Sequence, residues 1–245
     1  QLYVQERFAG NSKELALDMI HGIADAFAAS LPALAWMDET TRQAALVKKG
    51  TLAWKIGYPE EWRDYSKLTI TRGNHFANAV AARGFEASRQ LAQVGKPVDR
   101  KEWGMNAQTV NASYNPLQNA FTYPAGILQP PFFHKDFPVA MNLGGMGFVI
   151  GHELTHGFDD QGSKFDSLGS MTDWWTPASV KGFEERTACI DQQYSAYEIE
   201  PGDKVNGKLT LGEKIDDNGG LKQAWDVLQG ACDVGRRVVV ISQEN

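Results

Sequence analysis

The pentapeptide His152-Glu153-Leu154-Thr155-His156 lies inside a strongly apolar stretch, Val139 to Phe158, containing Met141, Leu143, Met146, Phe148, Val149, Ile150 and Leu154. Such a stretch predicts a buried helix, despite internal glycines that each cost up to about 1 kcal/mol in a helix interior. On a helix, residues four apart share a face, so both imidazoles can reach one metal ion. Glu153 then stands beside that ion, where it can accept a proton from water. Two histidines satisfied by polar contacts in a core helix are the bland alternative, but with five histidines in 245 residues the pattern seldom arises by chance. His152 and His156 are therefore expected to hold zinc, one ion per chain, with Glu153 as the catalytic carboxylate.

Zinc needs a third protein ligand. One class of zinc peptidase uses a histidine six residues after the second, preceded by a glycine; here those positions hold Gly162 and Asp159, so that class is excluded. His21, His75 and His134 all lie upstream in contexts that read as helix surface or loop. Downstream, Glu213 and Asp217 are four apart in Gly212-Glu213-Lys214-Ile215-Asp216-Asp217-Asn218-Gly219-Gly220. Glu213 can bind metal while Asp217 accepts the outer N–H of a ligating imidazole. Thr210 to Glu213 also fits a capping box, and Glu184, Glu185, Glu198 and Glu200 compete for the ligand role at this point.

Around this motif the chain reads as mainly α with a small β element. Asn11 and Glu14 fit a capping box ahead of Leu15, Met19, Ile23, Phe27 and Leu31 at helical spacing, and Pro32 ends that helix. Asp38 caps a second helix expected to run through Trp54, with Tyr58-Pro59 as the break, and a third spans about Gly73 to Val94. Residues 108–114 and 120–123 are β-prone and flank the turn Asn115-Pro116, which predicts a short hairpin or two adjacent strands. Thr176-Pro177 opens a helix reaching about Tyr197, and a last helix runs from near Thr210 to about Gln229.

Composition excludes several function classes. Net charge is −6 and the basic residues are scattered, so nucleic-acid binding has little support. No run approaches the apolar length of a membrane span. Gln1 to Arg7 has neither the basic start nor the apolar stretch of a signal peptide, and reads as a cut from a longer precursor. Cys189 and Cys232 allow one bridge at most.

Several strings together resemble the neprilysin family of zinc endopeptidases, which includes the endothelin-converting enzymes and bacterial relatives. They are Val110-Asn111-Ala112-Ser113-Tyr114, the run Tyr123 to Phe133, the run Val149 to Gly162, Asp173-Trp174-Trp175-Thr176, and Leu211 to Gly220. The likeness runs from about residue 1 to 229. It implies a thermolysin-like (gluzincin) catalytic domain with His152, His156 and Glu213 as zinc ligands, Glu153 as general base and Asp217 behind the metal. It further implies that Asn111 and Ala112 bind substrate backbone from an edge strand, and that Ile127, Phe132, Phe148 and Val149 line a pocket for the residue after the scissile bond. Read alone, Asn111-Ala112-Ser113 is also a glycosylation acceptor, and plain core packing competes for each of the four apolar residues.

The expected domains are a helical segment at 1–104, the remnant of a cleft-roofing lobe, a catalytic core at 105–229 and an unrecognised tail at 230–245. The resemblance implies an endopeptidase that cleaves peptides or unfolded proteins by zinc-activated water, outside the cytoplasm. The family's oxyanion-stabilising histidine and arginine find no counterpart here, so a weakly active peptide-binding remnant is the alternative. Cys189 matches a family cysteine that bridges to the C-terminus. Val238-Val239-Val240-Ile241 is expected to pair with a sheet edge or a second chain, so that 238–242 supports self-association.

Overall fold

The structure, a computed structural model, describes residues 1–8 and 10–233. The strand expected at 238–241 lies outside these residues. Helix α1 (Leu2–Arg7) leads into α2 (Ser12–Ser30), whose inner face buries Ala16, Ile20, Ile23, Ala24 and Phe27. Asn11 occupies the N-cap position of α2 but accepts no cap bond, so the expected capping box does not form. Asp38 does cap the next helix, α3 (Glu39–Gly50), accepting from the Thr41 amide at 2.9 Å.

Helix α3 stops short of the expected end at Trp54. Residues Ala53–Gly57 instead form strand β1, which runs parallel to β3 (Ala120–Pro124) with Ala53 opposite Ala120. The apolar Leu52, Trp54 and Ile56 carry the alternating spacing of a strand. Between them come α4 (His75–Leu91), capped by Asn74, and β2 (Ser113–Asn115), antiparallel to β3 with Ser113 opposite Thr122. The sheet order β1-β3-β2 leaves β2 on an edge and β3 buried along its length. The two strands expected around Asn115-Pro116 are thus present and adjacent, although the first begins at Ser113 instead of Gln108.

The apolar stretch is one unbroken helical run, as expected, with a π-helical turn inside it. After α5 (Val139–Asn142), residues Leu143–Gly147 form a π-helical turn, and α6 (Phe148–His156) follows, ending at Gly157. The cause is local: the Met146 amide donates to the Phe132 carbonyl at 2.9 Å, outside the helix, so the regular ladder is interrupted. Thr176 accepts from the Ser179 amide and, with Pro177, starts α7 (Pro177–Ser195) as expected. A short antiparallel pair, β4 (Glu198–Glu200) and β5 (Asp203–Lys204), leads to α8 (Leu211–Asp233), which continues past Gln229.

One core joins both sides of the boundary expected at 104: Ile20, Ile23 and Ile56 share a cluster with Phe121, Ile150 and Leu154. Helices α6 and α8 meet at its centre through glycine. A Cβ on Gly151 would lie 2.8 Å from the Gly220 Cα, and one on Gly220 would lie 2.6 Å from the Phe148 carbonyl oxygen. Hydrogen in place of a side chain is what lets the two backbones approach, and this close packing offsets the propensity cost.

Candidate metal centre

Helix α6 presents His152 and His156 on one face, and their rings meet edge to face with centroids 4.7 Å apart. Helix α8 brings up Glu213, whose Oε2 lies 3.4 Å from His152 Nε2 and 3.9 Å from His156 Nε2. Three donor atoms therefore converge on one point. Behind them, Asp217 Oδ1 lies 3.0 Å from His152 Nδ1, and Asp159 Oδ2 lies 3.0 Å from His156 Nδ1. With the outer nitrogens engaged by carboxylates, the inner Nε2 atoms are the ones turned toward a metal.

The competitors for the third position stand elsewhere. Glu184 and Glu185 are exposed on α7, Glu198 and Glu200 are exposed on β4, and none joins the group formed by His152, His156, Glu213 and Asp216. His21 and His75 are exposed and His134 lies in the loop before α5. Glu213 directs its carboxylate at the histidines instead of closing a capping box with Thr210.

Glu153 is 6% exposed, and its Oε2 has no hydrogen-bond partner. Burial is the main reason its carboxyl is pushed up to about 7; the His156 ring lowers it, the Glu213 carboxylate raises it and the Tyr114 backbone amide lowers it. A buried carboxylate with one free oxygen, next to converging imidazoles, is a group poised to exchange a proton with something placed between them.

These residues line a cavity of about 660 Å³, bounded also by Asn111, Ala112 and Tyr114 on the edge-strand side. Asn111 is exposed and Ala112 buried, immediately before β2. The four apolar residues expected in a specificity pocket do not line this cavity. Ile127 is buried in the core, Phe132 and Val149 pack against it, and Phe148 is the nearest, its ring centroid 6.3 Å from that of His152. Cys189 is exposed on α7 with no disulfide among the described residues.

Besides Asp159, two further side chains shape the site without having been singled out from sequence. Asp216, fully buried on α8, puts Oδ2 2.7 Å from His156 Nδ1. Its carboxyl is pushed up to about 8 chiefly by burial. Lys48, fully buried on α3, donates to the carbonyls of Gly157, Gly162 and Phe165. The Asp216 signal was available as a carboxylate three residues after Glu213, on the same side of a helix. A lysine on an otherwise amphipathic helix carries no such mark.

Comparison with known proteins gives the arrangement a family. Residues 111–245 match a model described as Peptidase family M13, and residues 1–59 match a second model of the same description. The first match includes the tail beyond Gln229, where the sequence reading ends the resemblance. Neprilysin-3 of Drosophila melanogaster is 42% identical over 235 residues, 93% of this chain and 30% of that protein. Endothelin-converting enzyme 1 of Mus musculus is 43% identical over 235 residues, again 93% of this chain and 30% of the relative. The crystal structure of the Mycobacterium tuberculosis zinc metalloprotease ZMP1 in complex with an inhibitor superposes with a TM-score of 0.91 at 43% identity, over 98% of this chain and 37% of that one. PepO from Lactobacillus rhamnosis HN001 gives 0.86 at 35% identity, over 93% of this chain and 36% of that one. The chain thus spans about a third of the length of the relatives it matches, in a mainly helical fold of the gluzincin type, and it belongs to peptidase family M13.

Proposed function

We propose that this chain is the zinc-holding catalytic part of a metalloendopeptidase. His152, His156 and Glu213 hold the metal, Glu153 is the general base, and Asp217 orients His152. The observation that carries the reading is that both Nε2 atoms lie within 3.9 Å of the Glu213 Oε2, in a cavity also lined by Glu153, whose Oε2 is unpartnered. Two neutral imidazoles and one carboxylate, with the outer nitrogens held, form a donor set that fits zinc in a hydrolytic site. When bound, zinc supplies Lewis acidity, polarising a substrate carbonyl and making water acidic near neutral pH.

The chain's own groups do the rest. Glu153 takes the proton of the attacking water on its free oxygen and returns it to the departing amine. Its burial places its affinity for that proton near 7, the range in which a carboxylate can both accept and donate. Asn111 and Ala112, at the start of the edge strand and on the cavity wall, receive the backbone of an extended peptide or unfolded protein. A preference for an apolar residue after the cleavage point is supported by Phe148 alone among the four expected residues, through its position against His152.

Hydrolysis of a short peptide, followed with and without a chelator and with the Glu153→Gln variant, tests the reading. Cleavage abolished by the chelator and by Glu153→Gln is expected. Zinc bound one to one without cleavage would reduce the chain to a peptide-binding remnant. Cleavage indifferent to the chelator would dismiss the metal from the chemistry.

A further inference from the structure

Of the three carboxylates that α8 presents to the histidines, Asp216 alone is cut off from water. Its side chain is 0% exposed, against 65% for Glu213 and 55% for Asp217. Its Oδ2 lies 2.7 Å from His156 Nδ1, yet neither oxygen has an aligned hydrogen-bond donor. The same Nδ1 is hydrogen-bonded to Asp159 Oδ2 at 3.0 Å, but Asp159 is provided for by its own loop as well: its Oδ1 accepts from the amides of Gln161 at 2.8 Å and Gly162 at 2.6 Å. Asp216 has no equivalent. A buried carboxylate left without donors is a cost that folds rarely retain without a use.

We infer that Asp216 is a positioning residue for the metal, holding the outer nitrogen of His156 from the α8 side so that Nε2 faces Glu213. This rests on His152, His156 and Glu213 being the zinc ligands. Asp216 is not itself a ligand to that ion, because it sits at Nδ1 while the donor atoms converge at Nε2, on the opposite side of the ring. One turn of α8 then serves both imidazoles: Glu213 faces the inner nitrogens, Asp216 the outer nitrogen of His156 and Asp217 that of His152. The contact also explains an unrewarded carboxylate in the closest part of the helix packing.

Zinc titration of the full chain against a competing chelator, paired with thermal melts of the metal-free protein, tests this in Asp216→Ala and Asp216→Asn. Asp216→Ala is expected to weaken zinc binding about ten- to a hundredfold, with a metal-free melting temperature no lower than the parent's. Asp216→Asn, whose carbonyl can still accept from Nδ1, is expected to recover most of that loss. Unchanged affinity in Asp216→Ala overturns the assignment. So does a fall in metal-free stability that tracks the affinity loss and is not relieved by Asp216→Asn, the pattern of a merely structural residue. A parent that binds no zinc, or a Glu213→Gln variant that binds it equally tightly, removes the ligand assignment itself and this inference with it.

Discussion

Lys48 Nζ lies 2.6 Å from the carbonyl oxygen of Gly157, the residue that closes the helix bearing both histidines. The other two ammonium protons go to Gly162 at 2.8 Å and Phe165 at 2.6 Å, so a side chain from α3 ties down the loop beneath the metal centre. Burial lowers the Lys48 ammonium to about 8, opposed by the Asp159 and Asp166 carboxylates. Helix α3 belongs to the N-terminal segment, which therefore takes part in building the site.

Lys48→Met tests that tie. Methionine fills much of the volume but leaves the Gly157 and Phe165 carbonyls without a donor, while Gly162 keeps the Phe165 amide at 3.1 Å; each buried unsatisfied group costs about 1–3 kcal/mol. A loss of at least about 2 kcal/mol in denaturant unfolding is expected. A loss below about 1 kcal/mol would mean that water replaces the ammonium at little expense.

Glu153→Gln separates binding from chemistry. The amide is nearly isosteric and lies outside the ligand set, so zinc stoichiometry should remain one per chain. It cannot accept a proton, so peptide hydrolysis should fall to background. Hydrolysis at the parent's rate would assign the base elsewhere.

The glycine contact gives a paired prediction within one helix. At Gly220 an added Cβ meets backbone, 2.6 Å from the Phe148 oxygen and 2.8 Å from the His152 nitrogen, whereas at Gly230 it meets nothing within 4 Å. Gly220→Ala should lower both stability and zinc affinity, by prising α8 from α6. Gly230→Ala should be neutral or stabilising by up to about 1 kcal/mol, the helix-propensity gain. Equal effects in melts and metal titrations of the two variants would refute the packing argument.

Metal-free protein should lose stability as pH rises from about 5 to 8. Burial raises Glu153 from the ordinary 4.5 to about 7 and Asp216 from 3.8 to about 8. In this window the folded chain binds more protons than the unfolded one, so each unit of pH favours unfolding. For His156, burial disfavours the charged ring, yet the Asp159 and Asp216 carboxylates prevail and raise it to about 11, which adds to the same slope. The denaturant midpoint across this range measures it, and Glu153→Gln should flatten the slope. A midpoint that rises with pH would contradict the assignment of buried protons.

Much of this was legible in sequence because it depends on local spacing. The shared face of His152 and His156 follows from helix geometry, and Thr176-Pro177 and Asp38 announce helix starts through their own chemistry. What was not legible depends on partners far along the chain. The strand Ala53–Gly57 exists because Ala120–Pro124 offers it a parallel ladder, and the π-turn within the helix exists because a carbonyl at Phe132 takes the Met146 amide. Ile127 looks equally apolar in a pocket or in a core, and only packing tells them apart. Lys48 carries no mark in sequence because its three acceptors are backbone groups.

Because Glu213, Asp216 and Asp217 all lie within two turns of α8, the two histidine-bearing and acid-bearing helices engage like the halves of a clutch. A slip of α8 by a single residue would turn all three carboxylates away together, leaving only the two imidazoles of α6 facing the site. With the proposed ligand set, zinc affinity would thus gauge helix register, because displacing α8 along α6 removes the carboxylate ligand and both of its acidic neighbours in one movement.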